Sequence, residues 1–136
     1  MIEYFSYFET IKSPLDQGFS LEEIQLIETK LGKKFPAAYI AFLQTMGKYA
    51  SCFMGDDHSI YELETYHKDA STALNSPHFL TENHIVFISS QACNWYCFSL
   101  LEGENPPVYF IQEGQLGLEP LIKYESFTLF ITQHVL

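Results

Sequence analysis

The sequence contains no arginine, and all of its positive side-chain charge comes from seven lysines. With seventeen Asp and Glu residues, the formal net charge is −10 at pH 7. Proteins that bind nucleic acids use clustered cations to displace counterions from phosphates, and basic segments draw proteins to anionic membranes. The charge therefore argues against both kinds of partner. Two interpretations stay open: an acidic surface that attracts a basic protein, or one that only keeps the protein soluble.

Cysteine is also scarce, and three residues, an odd number, do not suggest a disulfide framework. Cys93 and Cys97 are four residues apart in a segment with strand character. That spacing separates them by about 13 Å along a strand, which is too far for a disulfide. We expect Cys52, Cys93 and Cys97 to be ordinary buried thiols.

Long apolar runs are absent, and no segment approaches the roughly 20 residues of a membrane-spanning helix. The N-terminal segment, residues 1–12, lacks a basic region and carries Glu3 and Glu9. This is not the pattern of a signal peptide. We therefore expect a cytoplasmic protein, in a compartment that keeps cysteines reduced.

Aromatic residues are abundant, at 16% of the chain, with twelve Phe and nine Tyr. A chain of 136 residues that is 47% hydrophobic can bury a core without disulfides or metals. We predict a single domain over residues 1–136. Most of the aromatic side chains should fill its core, while tyrosines at the surface are also favoured in protein interfaces.

The most specific local pattern is a pair of short helices in residues 20–47. Ser20 followed by Glu23 predicts a capping box, and Gly32 predicts a left-handed end to the first helix. Pro36 suits the first turn of the second helix, and Gly47 ends it. Apolar residues recur at helical spacing between these signals: Ile24, Ile27, Leu31, Tyr39, Ile40, Phe42, Leu43 and Met46.

Residues 21–47 resemble the opening motif of the SUKH superfamily, which runs roughly I-x-x-x-E-x-x-L-G-x-x-L-P-x-x-Y-x-x-F-L and is followed shortly by N-G. Phe35 stands where the family usually has Leu, and Met46 where it often has Asn, so the turn after the second helix is expected to differ. Looser similarity continues through HIVFISSQACNWYCFSL, PPVYFI and SFTLFITQHVL to the C-terminus. The matching positions are Ile24, Glu28, Leu31, Gly32, Pro36, Tyr39, Phe42, Leu43 and Gly47.

Composition and spacing also predict the remaining elements. We expect a helix in residues 1–12, another in 65–74, and a final helix that Ser126 caps. The predicted strands are 49–54, 59–63, 84–90, 94–101 and 108–112. Helices cluster at the ends and strands in the middle. The predicted fold class is therefore α+β, with a central antiparallel or mixed sheet packed by N-terminal and C-terminal helices.

Four acidic residues, Asp56, Asp57, Glu62 and Glu64, cluster around a predicted turn. They could form a solvated turn, an acidic patch that faces a partner, or a site for Mg²⁺ or Ca²⁺. The sequence has neither EF-hand spacing nor a Gly-rich phosphate loop. We assign all four to a candidate partner-binding set, with no metal site.

Three further residues complete that set. Glu102 and Glu104 lie in a predicted loop, and with Asp56 and Asp57 they could form one acidic face. Trp95 could anchor a partner, although its size equally suits the core. Cys52 and His58 could in principle form a nucleophile and its base, but no third group or oxyanion site is evident. We predict no catalytic residues.

The resemblance implies a role that composition does not. Most bacterial SUKH proteins are immunity proteins that bind a toxin made by the same cell, and fungal relatives regulate cell-wall synthesis. We predict a non-enzymatic immunity protein, a monomer or weak dimer without cofactor, which occludes a basic cognate toxin, with a nuclease as one candidate. The alternative is a regulatory or scaffold module of the same fold. A third hypothesis is a small enzyme or ligand-binding protein that uses residues 56–64.

Overall fold

The computed structural model describes residues 3–74, 78–115 and 118–135. This part of the chain forms a four-stranded antiparallel sheet and five α-helices, so the predicted α+β class is confirmed. Two short 3₁₀ turns, Ser51–Phe53 and Ile60–Glu62, lie before the fourth helix. The elements are α1 (Tyr4–Ile11), α2 (Leu21–Leu31), α3 (Ala37–Met46), α4 (Leu63–Leu74), β1 (His84–Ser90), β2 (Asn94–Ser99), β3 (Val108–Gln112), β4 (Ile122–Tyr124) and α5 (Phe127–Val135).

The helix pair forms as its sequence signals predict. The Ser20 hydroxyl accepts a hydrogen bond from the Glu23 backbone N–H at 3.1 Å, and the Glu23 carboxylate accepts one from the Ser20 N–H at 3.0 Å. Gly32 ends α2 with φ +66°, and Gly47 ends α3. Pro36 lies one residue before α3 rather than in its first turn. The capping box is therefore confirmed.

The sheet has the order β1-β2-β3-β4, and its core is built on an aromatic cluster around Tyr39 of α3. Tyr39 has no exposed surface, and burial raises the pKa of its hydroxyl. Edge-to-face and offset ring contacts of this kind stabilise a core beyond the area they bury. Ring centroids within 6.5 Å of the Tyr39 ring belong to Phe35, Phe42, Phe87, Phe98 and Phe127.

Two predicted strands are wrong. Residues 49–54 contribute one bridge, between Gln17 and Tyr49, and then a 3₁₀ turn. Within residues 59–63, Ile60–Glu62 form the second 3₁₀ turn, and Leu63 begins α4. Side-chain caps explain both outcomes, because the Asp16 carboxylate accepts the Ser51 N–H at 2.8 Å and the Ser59 hydroxyl accepts the Tyr61 N–H at 3.2 Å. Such bonds compete with the pairing of strands.

Other boundaries agree closely with the sequence patterns. The helix predicted at 65–74 begins at Leu63, and its predicted end at 75–77 lies outside the described residues. Strand β4 has three residues and was not predicted, because so short a segment shows no alternation.

All three cysteines are free thiols: Cys97 is buried, whereas Cys52 and Cys93 are half-buried. In the described residues, none of the helices is both apolar and long enough to span a bilayer.

Candidate functional site

The two 3₁₀ turns and the end of α3 line an open cleft of about 590 Å³. This size lies within the range of ligand-binding pockets in proteins. Its walls combine exposed apolar side chains with three carboxylates, those of Glu23, Asp56 and Asp57. We call it the acidic cleft, and define it by Phe19, Tyr49, Met54, Asp56, Asp57 and Tyr61.

The apolar walls of the acidic cleft are unusually exposed. Met54 is 78% exposed and Tyr61 59%, and Tyr49 is 38% exposed. The Tyr61 ring lies edge-on to Phe19, with ring centroids 5.8 Å apart. The Tyr49 hydroxyl lies 3.8 Å from the Met54 sulfur. Tyrosine and methionine are enriched where proteins meet partners, so these walls have the composition of an interface.

Asp57 is held in place through its backbone. Its N–H donates to the Ser89 carbonyl at 2.9 Å, and its carbonyl accepts the Ser89 N–H at 2.8 Å. Ser89 belongs to β1, an edge strand of the sheet, so this bridge ties the cleft to the sheet. The Asp57 side chain is exposed and the Asp56 side chain is half-buried. The carboxylate of Asp57 is therefore presented from a fixed backbone.

Lys48 is the one lysine that lines the acidic cleft, and its charge is already paired. Its ammonium lies 3.6 Å from the Glu23 carboxylate and 5.4 Å from the centre of the Phe19 ring. Hydrogen bonding from the Ser20 backbone, with a smaller effect of Lys48, holds the pKa of Glu23 below its usual range. Glu23 thus stays ionised, and Asp56 and Asp57 leave the cleft with an excess of negative charge.

His58 and Cys52 do not form an activated pair. The His58 ring lies about 6 Å from the Phe42 and Phe53 rings, and burial lowers its pKa. Burial raises the pKa of Cys52 to about 11, and the nearby charges of Asp16 and Asp56 add to that effect. A reactive cysteine needs a lowered pKa. At neutral pH the pair is a thiol and a neutral imidazole.

The four clustered carboxylates are divided by the structure. Asp56 and Asp57 line the acidic cleft, while Glu62 is exposed on the second 3₁₀ turn. Glu64 lies on α4 and lines a separate groove of about 280 Å³, next to His67. In the described ranges, no group of three or more His, Cys, Asp or Glu residues is arranged to hold a metal ion.

Glu102 and Glu104 lie elsewhere, at the opposite end of α3. The Glu104 carbonyl accepts the Ala38 N–H at 2.9 Å, in the first turn of the helix. Both carboxylate oxygens of Glu102 accept from the Tyr109 hydroxyl at 3.0 Å. A ten-residue helix is about 15 Å long, so these residues are well separated from the acidic cleft. The single acidic face considered from the sequence therefore divides into two groups.

Trp95 is fully buried within β2, so its indole does not reach the surface that a partner would meet. We therefore remove it from the candidate set, because its size places it in the core. The exposed residues that sequence reasoning missed are Tyr49, Met54 and Tyr61. Their segments were interpreted as strands, so these residues were not included in the candidate set. Aromatic residues beside a Gly-Asp-Asp turn were a usable signal, because such a turn is expected to be exposed.

The comparison of the whole chain with protein families adds to this geometry. The model of the SMI1 / KNR4 family (SUKH-1) matches residues 18–133. The chain belongs to this family. The matched region includes helices α2 and α3, the acidic cleft and the four strands β1 to β4, whereas α1 lies before it. No curated protein matches the sequence.

Proposed function

We propose that the protein is a cytoplasmic immunity protein that binds a cognate toxin domain and neutralises it by occlusion, without catalysis. Membership of the SUKH-1 family carries this proposal, since the resemblance to SUKH proteins implies this role. Occlusion needs a complementary surface of roughly 1,000 Å² or more, and no reacting group.

The acidic cleft supports the proposal as the centre of the binding surface. Its exposed tyrosines and methionine provide apolar anchors, and Asp57 provides a fixed charge. The net charge of −10 would accelerate the encounter with a basic toxin, because opposite charges steer association. The raised pKa of Cys52 and the lowered pKa of His58 favour binding over nucleophilic chemistry.

Co-expression tests this function. The protein is expressed together with the C-terminal domain of the secreted protein encoded nearest to its gene, and both cell survival and direct binding are measured. We expect survival and a complex that weakens with salt. If the purified toxin domain keeps full activity with excess protein, the proposal fails for that toxin. Capture of a host protein instead would favour the regulatory or scaffold module.

A further inference from the structure

We infer that the acidic cleft binds a positively charged side chain of the partner, with arginine favoured over lysine. This inference rests on the proposed function, and it specifies the chemistry of the contact. The cleft is concave, its walls are aromatic, and its unpaired charges are carboxylates. A guanidinium group can stack on a tyrosine ring and pair with a carboxylate through two parallel hydrogen bonds.

The charges around the acidic cleft are incomplete without a cation. Glu23 and Lys48 neutralise each other at 3.6 Å, and among the described residues that line the cleft there is no second lysine for Asp56 and Asp57. Both line the same cleft as Gly47, the residue that ends α3. The C-terminus of a helix carries a partial negative charge, so carboxylates nearby are unfavourable there. A cation from a partner would offset this excess of negative charge.

The protein already contains one example of the contact that we infer. The Lys48 ammonium lies over the Phe19 ring at 5.4 Å and beside the Glu23 carboxylate. This combination of an aromatic face and a carboxylate is the arrangement that attracts cations in proteins. Tyr61 and Asp57 bring the same two kinds of chemical group to the wall of the same cleft, whose one lining lysine, Lys48, is paired with Glu23.

The proposed contact residues are held before the partner arrives. The bridge to Ser89 fixes the backbone of Asp57, and the Ser59 hydroxyl caps the 3₁₀ turn that carries Tyr61. The Ser59 N–H in turn donates to the Tyr66 hydroxyl at 3.1 Å. Binding groups that are ordered in advance lose less conformational entropy on association.

A titration of the isotopically labelled full chain, followed by NMR, tests this inference without a toxin. The probe is Nα-acetyl-L-arginine amide, and the matched neutral control is Nα-acetyl-L-citrulline amide. We expect saturable shifts of the amide signals of Met54, Asp57 and Tyr61, with binding of citrulline about three-fold to ten-fold weaker. The lysine amide should bind between these two.

Four variants, one of them a control, sharpen the test, and all of them change exposed side chains and should leave the fold intact. Asp57→Asn and Tyr61→Ala should each weaken binding of the arginine probe by about three-fold to ten-fold. Tyr61→Phe should retain binding, because the ring remains. Glu104→Gln, at the other end of α3, is the matched control and should bind like the parent protein.

The outcomes separate this inference from the proposed function. Equal binding of arginine and citrulline probes, or shifts confined to other regions, would overturn the inferred cation site. An affinity for the cognate toxin domain that is unchanged in both Asp57→Asn and Tyr61→Ala would also overturn it, while the immunity role would stand. Selective arginine binding by a protein that neutralises no toxin would support the cation site and count against the immunity role.

Discussion

The two ends of α3 carry similar charges and use them differently. At its N-terminal end, the Glu104 carbonyl accepts the Ala38 N–H and the Glu102 carboxylate accepts the Tyr109 hydroxyl. At its C-terminal end, the carboxylates of Asp56 and Asp57 face an open cleft with exposed aromatic walls. At the first end, the backbone of Glu104 and the carboxylate of Glu102 form bonds within the fold, whereas the carboxylates at the second end are available to a partner.

The helix dipole makes the contrast sharper. Carboxylates near a helix N-terminus are stabilising, whereas those near a C-terminus are destabilising. The loop with Glu102 and Glu104 therefore lies where negative charge helps α3, and Asp56 and Asp57 lie where it does not. Acidity alone did not distinguish these two groups. The concave surface, the exposed aromatic side chains and the unfavourable position for negative charge together distinguish Asp56 and Asp57 from Glu102 and Glu104.

The largest expected effect comes from Gly18→Ala, at the cleft end of α3. A methyl carbon there would lie 1.9 Å from the Gln44 carbonyl oxygen, so α3 and the segment before Phe19 would have to separate. We expect the free energy of unfolding to fall by about 3 kcal/mol, measured by urea denaturation. Gly103→Ala is the matched change at the other end: its methyl meets open space but needs φ +88°, at a cost of about 1 kcal/mol. Equal losses would contradict the close packing at Gly18.

Local signals explain which parts of the fold could be predicted from the sequence. The Ser20–Glu23 capping box and the apolar periodicity of α2 and α3 involve residues within a few positions of each other, so the sequence shows them directly. The 3₁₀ turn at 51–53 depends instead on Asp16, a residue 35 positions away. No pattern within the segment itself reveals such a bond, and its apolar residues suggested a strand.

The same reasoning applies to the candidate site. Asp56 and Asp57 were identified because a Gly-Asp-Asp turn is visibly acidic and exposed. The roles of Tyr49 and Tyr61 depend on the bridge to Gln17 and on the cap by Ser59, which expose the rings beside the carboxylates. The separation of Glu104 from Asp57 depends on where the β2–β3 loop meets α3, which is a tertiary contact.

Charge reversal should separate the two ends in binding. Asp57→Lys places a cation in the acidic cleft and should weaken the complex with the cognate toxin domain by about ten-fold to a hundred-fold. Glu104→Lys makes the same change in net charge at the other end and should weaken it by less than about three-fold. Isothermal titration calorimetry measures both. Similar losses for the two variants would mean that only net charge matters.

In the turn between β1 and β2, the native residues can be compared with residues that favour a left-handed backbone. The turn places two residues with side chains in the left-handed region, Gln91 at φ +56° and Ala92 at φ +58°, next to the strand that holds Asp57. The double change Gln91→Asn and Ala92→Gly supplies residues that favour this turn and should stabilise the protein by about 1–2 kcal/mol. Thermal and urea unfolding check it. An unchanged stability would show that the turn is not strained.

Two histidines, His58 and His84, are expected to give a smaller, pH-dependent effect on the stability of the protein. Burial lowers the pKa of His58, and burial together with His67 lowers that of His84. Below the unfolded pKa of about 6.5, the unfolded chain takes up protons that the folded histidines do not, so stability falls as pH decreases. We expect His58→Gln and His84→Gln each to flatten the decline in urea midpoint from pH 7.5 to pH 5.5. A decline that keeps its slope in both variants would assign it to other groups.

The smallest effect is a difference in sign between the two ends of α3. Asp57→Asn removes a carboxylate near the helix C-terminus and should stabilise the free protein by about 0.5 kcal/mol, whereas Glu104→Gln should destabilise it by a similar amount. Urea denaturation at low salt measures both, and high salt should reduce the difference. Both changes lower the net negative charge equally, so shifts of the same sign would show that total charge, and not position, decides. Opposite signs would mean that Asp57 is kept at a cost to the fold, as expected for a residue whose benefit comes from a partner.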